Sequence, residues 1–131
     1  MRVIAPAALA ALIATAASAA DQPRLHIFGP KGCAFFDGLG GDGAAFHALD
    51  DAHLILDHGA LEGTKISCRF DGEFSLIGAP GKTEAQSGSC TNANGETREG
   101  DFTLTYSDAD NATLNISGFD QTVPFVACDR P

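Results

Sequence analysis

Thr64-Lys65-Ile66-Ser67-Cys68-Arg69-Phe70 alternates without a break. Thr64, Ile66, Cys68 and Phe70 fall on one face; Lys65, Ser67 and Arg69 fall on the other. This is the pattern of a strand with one side in a core and one side in water. Immediately downstream, Asp71-Gly72 predicts a hairpin. A three-residue loop there pairs Phe70 with Phe74 and Cys68 with Leu76. It keeps the apolar face intact, which a two-residue turn does not.

The rest of the chain repeats this grammar. Arg24 to Phe28 alternates and starts the first strand, ended by Gly29-Pro30-Lys31-Gly32. Cys33 to Phe36 reads as another short strand. Ala52 to Asp57 is a strand followed by a turn at His58-Gly59. Glu84 to Thr91 is polar and carries Cys90, which suggests an edge-like strand. Asn94-Gly95 is a strong hairpin turn. Phe102, Leu104 and Tyr106 alternate with threonines, as do Leu114 and Ile116 with Thr113 and Asn115. The last strand runs through Val123, Phe125 and Ala127 to Cys128, with Pro124 marking an edge or bulge. Helix-period stretches are nearly absent after residue 60; a short helical turn is expected near 44–49, with Asp42 as a cap. The predicted class is all-β: an antiparallel meander of about seven or eight strands, closed as a small barrel or flattened as a sandwich.

The N-terminus has a different composition. Met1-Arg2 is followed by an apolar run from Val3 to Ala17 and by the small residues Ala17-Ser18-Ala19-Ala20. A positive start, a short apolar run and a small-residue cut site form a secretory signal peptide. Residues 1–20 are therefore expected to be removed, after Ala19 or Ala20, leaving 21–131 as one domain. The alanine-rich style points to a bacterial periplasmic or secreted protein. No later apolar stretch reaches the roughly 20 residues of a membrane span, so no membrane insertion is expected after cleavage.

An oxidising compartment gives the four cysteines their meaning: Cys33, Cys68, Cys90 and Cys128 read as two disulfides. The favoured pairing is Cys33–Cys128 with Cys68–Cys90; Cys33–Cys68 with Cys90–Cys128 stays open. No pair has the two-residue spacing of a redox motif or zinc knuckle.

The whole chain carries 8 Lys+Arg against 17 Asp+Glu, a net charge of -9. This argues against a nucleic-acid partner, whose phosphates need a basic face. Gly38, Gly40 and Gly43 match the glycine pattern of dinucleotide sites, but that pattern requires a strand–helix–strand unit of a parallel sheet. Asp108-Ala109-Asp110-Asn111 opens like a calcium loop and lacks the later ligands, so it reads as a turn. Phe35-Phe36 is expected to be buried.

No cofactor is indicated. His47, His53 and His58 lie amid Asp50, Asp51 and Asp57, and His47, His53, His58 with Asp57 are the candidate ligands for a zinc- or copper-like ion. No nucleophile elbow is present, so a small hydrolase would need one of these histidines as its base. The reading that leads is an exported, non-catalytic domain that binds a protein or small ligand; a metal-binding protein and a small hydrolase are the alternatives.

Overall fold

The computed structural model describes residues 22–118 and 121–130. The export segment expected over residues 1–20 lies outside them. The chain forms a closed antiparallel barrel of eight strands in sequence order. These are β1 (Leu25–Phe28), β2 (Leu54–Leu56), β3 (Ala60–Glu62), β4 (Ile66–Phe70), β5 (Thr83–Asn92), β6 (Thr97–Tyr106), β7 (Asn111–Ile116) and β8 (Gln121–Cys128). Each strand pairs with the next, and β1 closes on β8 through Leu25↔Cys128, His26↔Ala127 and Ile27↔Val126. Closure gives every strand two neighbours, which an open sandwich of this size would not. Among the described residues no helix is long and apolar enough to cross a membrane.

Strand alternation creates two cores. Inward residues, including Leu56, Leu61, Phe70, Phe102, Leu104, Leu114 and Phe125, fill the barrel. The outward faces of β1, β2 and β8 instead offer Leu25, Ile27, Ile55 and Cys128 to a second cluster. The connection from β1 to β2 lies over this flank. It carries a 3-10 helix (Gly32–Phe36) and a short helix α1 (Asp42–His47). Phe35 and Phe36 are both buried. The strand expected over Cys33–Phe36 is thus a 3-10 helix, whose three-residue turn lets two adjacent phenylalanines approach one surface. The helical turn expected near 44–49 sits at Asp42–His47, with Gly41 as its cap residue.

The disulfides are Cys33–Cys128, which fastens the 3-10 helix to β8, and Cys68–Cys90, which joins directly opposed residues of β4 and β5 inside the barrel. The pairing favoured from sequence is the one formed.

The hairpin expected at Asp71-Gly72 does not form. β4 pairs instead with β3 and β5, with Cys68 opposite Cys90 and Phe70 opposite Gly88. The connection over residues 71–80 sends a plug inward at Phe74 and Leu76. Phe74 and Leu76 are fully buried, and the Phe74 ring meets Phe70 edge-on at 4.9 Å. The apolar residues after the turn therefore do reach the core, but as a plug, not as a partner strand. Leu76 adopts φ 58°, a left-handed conformation costly for a branched side chain.

The plug also explains β5. Its inward residues Glu84 and Gln86 are polar because they bind plug groups: Glu84 accepts the Ser75 amide and hydroxyl at 2.9 and 2.7 Å, and the Gln86 side-chain amide donates to the Glu73 carbonyl at 3.1 Å. Polarity that suggested an edge marks a central strand facing a polar plug. Asn94-Gly95 turns the β5–β6 hairpin as expected, with Gly95 at φ 84° and the Asn92 amide bonded to the Glu96 carbonyl.

Candidate functional site

The barrel wall has one interruption where β1 ends. β1 follows β8 only as far as Ile27↔Val126; the chain then turns away at Gly29, where φ is 145°. Beyond this point β8 borders only β7. Ala127 donates its amide to Asp110, so alternation points the Pro124 nitrogen to the opposite, open side. Proline is tolerated there because no partner asks it for a hydrogen bond.

The slit opens a groove of about 520 Å³ lined by Ile27 to Gly32, Ser107, Asn111 to Thr113 and Pro124 to Val126. Phe28, at 37% exposure, is the exposed large hydrophobic residue among those described. Its ring leans edge-on to Phe125 with centroids 6.5 Å apart. Lys31 is the only lining residue with a charged side chain.

The loop bearing Lys31 is held from beneath. His53 is 2% exposed and lies against the Phe35 ring at 4.7 Å. Its Nδ1 is 2.7 Å from Asp50 Oδ1, and its Nε2 is 3.2 Å from the Lys31 backbone nitrogen. An amide nitrogen only donates, so Nε2 accepts and Nδ1–H donates to Asp50. That bond is the main reason the Asp50 carboxyl is held below its ordinary range. A side chain on Gly29 would strike the His53 ring, so the loop and the imidazole are in close contact.

The other residues singled out from sequence are dispersed. His58 donates from Nδ1 to the Phe74 carbonyl at 2.8 Å and thereby holds the plug. Asp57 accepts from Arg130 at 2.9 Å and from the His58 amide at 2.8 Å. His47 is exposed in the last turn of α1. Asp51 accepts from Thr64 Oγ1. Among the described residues no three His, Cys, Asp or Glu side chains gather as a metal-holding group. Nor is a histidine ring nitrogen hydrogen-bonded to a serine or threonine hydroxyl among them. Asp108 accepts the backbone amides of Asp110 and Asn111 at 2.8 Å each, as a turn residue does. The glycine run at Gly38–Gly43 leads into a six-residue helix outside an antiparallel barrel.

Two features had gone unnoticed in the sequence. In sequence Phe28 and Lys31 are only a strand end and a turn residue. The available signal was an inward-phase phenylalanine placed directly before Gly-Pro, where the strand stops before its partner does. The second is the buried pair His26–Tyr106: His26 Nε2 lies 2.6 Å from the Tyr106 hydroxyl, and Nδ1–H donates to the Arg24 carbonyl at 3.0 Å. Burial lowers the His26 pKa from 6.5 to about 4 and pushes that of Tyr106 up.

Comparison with protein-family models, with curated proteins and with solved structures found no match.

Proposed function

We propose that the mature chain is an exported, non-catalytic binding domain and that the groove at Phe28 is its contact surface. The observation that carries this reading is the placement of Phe28. It stays partly in water at the mouth of an apolar groove, while most of the other large apolar side chains among the described residues are packed in the two cores. A lone exposed apolar residue is ordinary, but one set in an apolar groove marks a place where ligands bind. A volume of about 520 Å³ lies within the roughly 300–1,000 Å³ of small-ligand sites. Two disulfides and a closed barrel make a rigid frame, so little ordering is needed on binding. Export is supported by the composition of residues 1–20 together with the two bridges.

Amide shifts during titration with 1-octanol, an uncharged apolar probe, test the contact surface. Shifts confined to Ile27–Gly32, Ser107, Asn111–Thr113 and Phe125–Val126, lost in Phe28→Ser, are expected. Saturable binding elsewhere, or none at millimolar probe, would overturn the assignment. Export is tested separately by the mass of protein recovered outside the cytoplasm, which should begin at Ala20 or Asp21.

A further inference from the structure

Charge is distributed unevenly around the groove. Acidic residues outnumber basic ones 17 to 8 in the chain, yet no carboxylate lines the groove and one ammonium group does. The remaining polar lining, Ser107, Asn111 and Thr113, is neutral. Among the described residues Lys31 forms no ion pair. Asp50 lies within reach of its charge, and the Asp50 Oδ1 is engaged by the His53 ring and the Ala52 amide. The Lys31 backbone, meanwhile, is fixed by a buried imidazole. The result is an apolar groove with a cation at its rim on a stem whose root is immobilised.

We propose that this groove selects a small free monocarboxylate with an apolar body, Lys31 serving as the counter-ion. The inference rests on the groove being the contact surface. The apolar body would cover Phe28 and the Pro124 edge, removing apolar area from water. The carboxylate would meet an ammonium that is exposed and unpaired among the described residues. Because that pair stays near solvent, its contribution is modest and salt-sensitive. An alkylammonium of the same length would meet repulsion in place of attraction.

The test compares sodium octanoate, 1-octanol and octylammonium at low salt by calorimetry and amide shifts. Octanoate should bind about three- to five-fold more tightly than octanol, with octylammonium weakest. Raising salt to about 0.5 M should shrink the octanoate preference. Lys31→Gln should bring octanoate and octanol level while keeping the fold, because the bond to His53 uses the Lys31 backbone. Lys31→Glu should reverse the order and favour octylammonium. Equal or better binding of octanol or octylammonium by the wild-type protein would overturn the charge selection, as would a preference that persists in Lys31→Gln. In those cases the contact surface still stands if octanol shifts the groove amides. Failure of all three probes to bind overturns both readings.

Discussion

His53 Nε2 accepts the backbone N–H of Lys31 at 3.2 Å, so a buried imidazole sets the position of an exposed cation. Removing the ring as His53→Ala should cost about 2–4 kcal/mol, since it empties packed space against Phe35 and takes an acceptor from the amide. The amides of Lys31 and Gly32 should then exchange with solvent faster, and octanol should bind the groove more weakly. A urea midpoint within error of wild type, with unchanged exchange, would show that the ring does not hold the loop.

Gly29→Ala attacks the same contact from the other side. The added Cβ would lie 2.1 Å from the His53 ring, at a backbone φ of 145° that side chains rarely adopt. A loss of about 2 kcal/mol or more is expected in denaturant unfolding. His53→Ala in the same chain should recover the steric part of it. The double variant should therefore be more stable than the sum of the single losses predicts, which a double-mutant cycle reads directly.

His26 gives the fold a defined acid sensitivity. Its pKa falls from 6.5 to about 4 because burial disfavours the charged ring. The unfolded chain therefore binds this proton more readily than the folded one. The stability contribution is full above pH 6.5 and is lost as the pH falls towards 4, by about 1.4 kcal/mol per unit and about 3 kcal/mol in all. Asp50 and Asp108, whose carboxyls are held below their ordinary range, lose their contributions only at lower pH. Urea midpoints between pH 7 and 4 should fall steeply for the wild type and much less for His26→Gln. Parallel curves would remove His26 as the cause.

The two disulfides should differ in both access and weight. Cys33 is exposed, whereas Cys68 and Cys90 are 0% and 2% exposed inside the barrel. Mild reductant with alkylation and mass mapping should therefore label Cys33 and Cys128 first. The sequence separations are 95 and 22. In the chain-entropy model these correspond to about 5 and about 3 kcal/mol. Replacing Cys33 and Cys128 by serine should accordingly lower stability more than replacing Cys68 and Cys90 by alanine. First labelling at Cys68 or Cys90 would contradict the burial argument.

Much of this fold was legible because strands with one wet face alternate. Ile66–Phe70, Phe102–Tyr106 and Leu114–Ile116 could be assigned residue by residue, though Thr64, read as facing the core, is exposed ahead of the strand. For the disulfides the sequence favoured the pairing formed but left a second one open. Other regions escape the local pattern for separate physical reasons. Cys33–Phe36 lies on the barrel's outer flank, where two adjacent apolar residues favour a 3-10 turn. Residues 71–80 carry strand-like apolar spacing but serve as a plug, a tertiary role that no local pattern encodes. Ala60–Glu62 is too short between Gly59 and Gly63 to show alternation at all. The groove was hidden because it arises from a mismatch in strand length. Its residues Phe28 and Lys31 carry no motif and acquire a relationship only where β1 stops short of β8.

The seam between β1 and β8 has a consequence for when this protein can exist. Leu25 opposes Cys128, so the first strand of the barrel waits for the last residues of the final one. The bridge from Cys33 to Cys128 has the same dependence. A chain still being synthesised has neither seam nor clasp and can only hold an unclosed ribbon. The native state is thereby deferred until β8 itself has been delivered, about a hundred residues after β1.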